Sequence, residues 1–190
     1  AMRDLEIRGA GNLLGTQQSG HISAVGYELY CQLLENAVRR LKHLPPRVSL
    51  DVTVDLPGAA YFPDEYVPDL RAKIDLYRRL ARVTQLGGLD EFRRELGDRF
   101  GPPPPPVARL LDLAEVRIDA AAWQVSAVYV EEEYLVLRYQ DRHRIEELAR
   151  LGGRRLRIVD ERSAYLPAGK EVTNLDQILP LVKSVLRLNR

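Results

Sequence analysis

Apolar residues recur along this chain with a period of three to four, then of two, and each change of period marks a boundary between elements. From residue 24 to 42, Tyr27, Tyr30, Leu34, Ala37, Val38 and Leu41 stand at helical spacing, with Leu29 and Leu33 widening the stripe. Pro45-Pro46 ends that helix, since proline brings no N–H and its ring clashes with the preceding turn. Residues 47–56 alternate strictly: Val48, Leu50, Val52, Val54 and Leu56 against Ser49, Asp51, Thr53 and Asp55, the pattern of a half-buried strand. Residues 57–63 read as a loop. Pro68 then predicts a helix carrying Leu70, Ile74, Tyr77, Leu80 and Ala81, ending near Gly87-Gly88. Asp90 is expected to cap a shorter helix with Phe92, Leu96 and Phe100 on one side, closed by Gly101. Pro102 to Pro106 predicts a rigid polyproline elbow. A longer helix follows, with Val107, Leu110, Leu111, Ala114 and Ile118 facing inward.

After Trp123 the period falls to two. Val125–Val130 and Tyr134–Tyr139 are β-rich runs joined by Glu131-Glu132-Glu133, which predicts a hairpin. Residues 142–151 read as a helix leaving through Gly152-Gly153, and Leu156–Val159 and Ala164–Leu166 as strands. Thr173 with Asp176 three residues on has the spacing of a capping box. It opens a last helix with Leu175, Ile178, Leu179, Val182, Val185 and Leu186 on its apolar face. The predicted class is α+β: a helical hairpin over 1–44, then a compact domain over 45–190 with several helices and a small, mostly antiparallel sheet. A hairpin alone cannot bury its own apolar face, so its first arm is expected to pack on something upstream.

Composition narrows the function classes. Net charge is +1, with 28 cations against 27 anions, far from the strongly basic balance of a free-standing nucleic-acid binder. The apolar runs are too short to span a bilayer and no targeting stretch leads the chain, so the expected location is cytoplasmic, with no membrane partner. The single cysteine, Cys31, excludes an internal disulfide and sits in a helical apolar pattern, as a buried structural residue does.

The chemistry-bearing motifs are few. A GxxxxGK[ST] phosphate loop and a metal-ligand cluster are both missing from the sequence, and His21, His43 and His143 are scattered. No catalytic residue, metal or cofactor is therefore expected in the chain itself. Gly9-Ala10-Gly11 imitates part of a dinucleotide fingerprint, but the third glycine, Gly15, falls one place late. Glu131–Glu133 reads as a solvated hairpin tip. Arg154-Arg155-Leu156-Arg157 reads as a strand edge or a DNA contact, and Tyr61-Phe62 as local core or a small docking patch.

One segment is specific. Arg3-Asp4-Leu5-Glu6-Ile7-Arg8-Gly9-Ala10-Gly11-Asn12-Leu13-Leu14-Gly15, followed by Gln18-Ser19-Gly20, resembles the translocation motif that follows the second ATPase lobe of RecG-type branched-DNA helicases and Mfd-type transcription–repair coupling factors. Further on, Tyr66-Val67-Pro68-Asp69, Tyr77-Arg78-Arg79-Leu80-Ala81 and Glu95-Leu96-Gly97-Asp98-Arg99-Phe100-Gly101-Pro102 resemble the C-terminal domain of the Mfd type, whereas RecG-type chains stop soon after the hairpin. The resemblance covers most of residues 1–120; beyond Trp123 only the pattern agrees.

That resemblance implies a parent motor that uses ATP and magnesium in upstream ATPase lobes to move on duplex DNA, releases stalled RNA polymerase and recruits UvrA. Arg3, Arg8, Gly9, Gly11 and Gln18 would couple hydrolysis to stepping: glycine-flanked backbone lets a loop shift, and arginine grips phosphate or carboxylate in a fork. The C-terminal domain would mask the protein's own N-terminal UvrA-binding module through Glu95 and Asp98, with Arg94 beside them.

Read from the residues alone, Glu95 and Asp98 stand three apart on one helical face, in last turns where the helix dipole disfavours negative charge. Arg94 and Arg99 each lie four residues from one of these acids, so a solvated ion-pair face stays open as the other reading. A stand-alone nucleic-acid or protein-interaction module and a small enzyme with a hidden cleft are the competing classes.

Overall fold

The computed structural model describes residues 52–152, 155–169 and 174–187. The predicted hairpin, with Arg3, Arg8, Gly9, Gly11 and Gln18, lies outside the described residues, as does the first half of the 47–56 strand. In chain order the elements are β1 (Thr53–Asp55), α1 (Leu70–Arg82), α2 (Leu86–Phe100), α3 (Pro105–Ala122), β2 (Val125–Glu131), β3 (Tyr134–Tyr139), α4 (Arg142–Leu151), β4 (Arg157–Ile158), β5 (Ser163–Pro167) and α5 (Leu175–Leu186). The class is α+β, with five helices and one five-stranded mixed sheet among the described residues.

The sheet runs β1-β2-β3-β5-β4, parallel only between β1 and β2. Its register places Val54, Val128, Leu137 and Ala164 side by side across four strands, all buried. Alternation is what makes this possible, because period-two side chains send every second residue to the helical layer. Thr53 and Asp55 accordingly face solvent while Val52, Val54 and Leu56 are buried. The predicted β2–β3 hairpin forms with Glu132 in the left-handed region at φ 54°. All three tip glutamates are exposed, and the Glu133 carbonyl accepts the amides of Ala168 and Gly169 at 2.8 and 3.2 Å.

Helix α3 is the axis of the domain. It packs on β1 and β2, on α2 and on α5. Eight consecutive residues, Leu113 to Ala120, are buried, charged ones included. The five-residue apolar stripe read from the sequence is all buried too. The elbow is shorter than predicted: Pro105 and Pro106 form the first turn of α3, where a missing N–H costs nothing. Trp123 closes α3, and its indole N–H donates to the Leu186 carbonyl at 2.8 Å, tying the ends of α3 and α5 together. Gly58, at φ 147°, lets the loop after β1 meet α5 closely; a Cβ there would stand 2.7 Å from the Leu175 side chain.

Three local expectations are corrected. Helix α1 buries Lys73, Leu76, Tyr77 and Leu80, while Leu70 is exposed, so its inward face is rotated from the stripe read off the sequence. Gly87 and Gly88 do not end α1; they lie in the first turn of α2, and Asp90 sits inside that helix instead of capping it. Leu89, buried at the core, anchors this extra turn; burying one leucine is worth about 2 kcal/mol, which offsets much of the roughly 1 kcal/mol cost of each helical glycine. At α5 the cap is Asn174, whose side chain accepts the Gln177 amide at 3.1 Å. Thr173 lies outside the described residues, and Asp176 is turned instead toward Arg109 on α3.

Candidate interaction surface

Helices α1 and α2 are joined by a short turn and held by polar caps at three of their ends. Asp69 caps α1, accepting the Ala72 amide at 2.6 Å. At its other end the buried Arg117 of α3 donates to the carbonyls of Leu80 and Val83 at 3.0 and 2.8 Å. A cation there satisfies orphan carbonyls and opposes the negative end of the helix dipole. Helix α2 ends as predicted at Gly101, φ 84°, whose amide donates to the Gly97 carbonyl. The Tyr66 hydroxyl covers this end, donating to the Gly101 carbonyl at 2.8 Å while its ring stands 5.7 Å from Phe100. Phe92 and Leu96 turn inward and fix which face of α2 meets water.

That outward face carries Glu95. The Arg79 guanidinium, from α1, forks onto both carboxylate oxygens, with Nη1 2.8 Å from Oε1 and Nη2 on Oε2. Arg99, one turn further along α2, adds a bond to Oε1 at 2.9 Å. These hydrogen bonds, Arg79's first and Arg99's second, together with the attraction of both cations, pull the Glu95 carboxyl down to about 2. Each arginine also lies against a ring, Arg79 at 5.5 Å from the Phe92 centroid and Arg99 at 5.0 Å from Phe100. Glu95 nevertheless keeps a third of its side chain in solvent. A shallow cleft of about 350 Å³ opens beside it, lined by Arg79, Arg82, Val83, Glu91 and Phe92.

Asp98 is exposed, and no ion pair to it is recorded among the described residues. Arg94 does not reach it across the i,i+4 spacing; its Nε donates back to the Asp90 carbonyl at 3.4 Å. Thus Glu95 is held in place, while Asp98 stands in solvent one turn on. Arg79 is the residue that sequence reasoning missed at this face. It is 16 positions from Glu95, so no local spacing announces the pair, whereas Arg99 is legible as an i,i+4 partner.

The remaining candidates resolve simply. Phe62 is core, edge-on to Tyr77 at 4.9 Å, and its amide donates to the Tyr77 hydroxyl. Arg157 is exposed on the edge strand β4 beside the buried Leu156, and Arg154 lies outside the described residues. Among the described residues no group of three or more His, Cys, Asp or Glu side chains is placed to hold a metal ion, and no helix is long and apolar enough to cross a membrane.

A TRCF domain family model matches residues 56–149, the stretch holding α1, α2 and α3. Transcription-repair-coupling factors are its relatives: that of Myxococcus xanthus is 43% identical over 119 residues, and that of Staphylococcus aureus (strain USA300) 46% identical over 122 residues. Each alignment covers 63% of this chain, and the chain spans about one-tenth of the length of either relative (10%). A crystal structure of the C-terminal domain of transcription-repair coupling factor shares the fold, with a TM-score of 0.58 at 21% identity over 72% of this chain and 92% of that one. Residues 56–149 are thus similar to a TRCF domain. The chain is similar to the transcription-repair-coupling factors over 63% of its length.

Proposed function

We propose that this chain is the regulatory end of an ATP-driven DNA translocase, and that its α2 face docks on the UvrA-binding module of the same protein and keeps that module masked until the motor engages. The observation that supports the reading is the α2 face itself: Glu95 is held by the Arg79 fork and Asp98 is exposed with no ion pair among the described residues, within the 56–149 match to the family. A held carboxylate loses little side-chain entropy on docking, and a free one beside it favours a basic surface.

In this reading Arg3, Arg8, Gly9, Gly11 and Gln18 transmit hydrolysis in the upstream lobes to movement along duplex DNA. ATP and magnesium belong to those lobes, RNA polymerase and UvrA are partners of the whole protein, and the work is done in the cytoplasm. The chain itself supplies binding and coupling, with no catalytic residue of its own.

The test is a titration of the 190-residue chain with the parent's UvrA-binding module. Asp98→Lys combined with Glu95→Gln is expected to weaken docking about tenfold or more and, in the whole protein, to raise UvrA binding. Unchanged affinity in both measurements would remove the masking role.

A further inference from the structure

Two arginines share one carboxylate at this face, and they hold it differently. Arg79 crosses from α1 and forks onto both oxygens of Glu95, the geometry in which a guanidinium binds a carboxylate best. Arg99 makes one hydrogen bond, to Oε1 alone, along the same helix. Its side chain is half exposed (49%), against 38% for Arg79. An exposed i,i+4 pair contributes only tenths of a kcal/mol, so Arg99 leaves Glu95 easily. It also has somewhere to stay, because its guanidinium already lies 5.0 Å from the Phe100 ring.

We propose that Arg99 sets the strength of docking at this face, by occupying the outer position on Glu95 that a cation of the docked surface must take. Arg79 keeps the carboxylate aimed; Arg99 is the internal competitor that the incoming guanidinium or ammonium displaces onto Phe100. Docking is then held weak, since a cation that takes the outer position on Oε1 replaces a contact already present. The exposed Asp98 next to Arg99 supplies attraction with no competitor recorded among the described residues. The inference rests on the docking reading above and adds to it a residue whose removal strengthens the interface.

The experiment compares the full chain with Glu95→Gln, Arg99→Ala and Arg99→Lys, each titrated with the parent's UvrA-binding module at low salt, with thermal melts alongside. Arg99→Ala is expected to tighten Kd about two- to fivefold, the range for losing one exposed ion pair, while Arg99→Lys stays near the unaltered chain. Glu95→Gln weakens binding and abolishes the gain when combined with Arg99→Ala. If Arg99→Ala leaves Kd unchanged or weakens it while Glu95→Gln still impairs docking, Arg99 is not a competitor and the proposal is overturned. If Glu95→Gln binds as tightly as the unaltered chain, the docking reading itself fails and the role of Arg99 goes with it.

Discussion

Two glutamates in this domain are clamped by paired cations, and they sit in opposite surroundings. Glu95 bridges α1 and α2 at the surface; Glu115 bridges α3 and α5 in the interior. Glu115 accepts Lys183 Nζ at 2.9 Å and a second bond from Arg187, and Lys183 also binds Asp112. Its side chain is 8% exposed, against 34% for Glu95. For Glu115 the largest influence is burial, which by itself raises the carboxyl; the bonds from Lys183 and Arg187 outweigh it and the group again settles at about 2. Equal acidity thus conceals unequal dependence. Water can replace a lost partner at Glu95, whereas at Glu115 the enclosed carboxylate and the Lys183 ammonium have little water to stand in for one.

The sharpest way to break this comparison is to neutralise each glutamate in turn. Glu115→Gln is expected to cost about 2 kcal/mol, because the largely buried Lys183 loses one of its two carboxylates, while water takes up the half-exposed Arg187. Chemical denaturation measures it, and a loss below about 1 kcal/mol would mean that water reaches the α3–α5 cluster freely. Acid comes next. Both carboxyls have folded values near 2, below the ordinary 4.5, so their stabilisation is complete above pH 4.5 and is lost as pH falls toward 2. Unfolding free energy should therefore decline through that window, and Glu115→Gln and Glu95→Gln should each flatten the decline. The smallest effect belongs to Glu95→Gln at neutral pH, no more than about 1 kcal/mol and shrinking further in molar salt, where exposed pairs are screened. Equal losses for the two variants would erase the distinction between a docking face and a structural tie.

Much of this architecture was legible as pattern. Alternation found β1 and the β2–β3 hairpin, and helical spacing found the apolar face of α5 residue for residue and part of that of α3, missing Leu113, Val116 and Ala120. Boundaries fared worse where local punctuation competed with packing: Gly87-Gly88 has the look of a helix end, but burial of Leu89 offsets much of what the glycines lose. The buried charges of α3 were invisible for a related reason. Glu115, Arg117 and Asp119 occupy positions that are polar in any amphipathic reading, and only the enclosure of α3 by the sheet, α2 and α5 makes them interior.

At the candidate face the division is equally physical. The sequence by itself determined that Glu95 and Asp98 share one side of a helix and that Arg99 lies within reach, because helical geometry depends on spacing alone. Only tertiary structure decided that Arg79 takes Glu95 while Arg94 turns back to the Asp90 carbonyl, since contacts across two helices depend on crossing and rotation set by buried side chains such as Leu76, Tyr77, Phe92 and Leu96. Local chemistry was written in the order of residues; which charge meets which was settled by how the core packs.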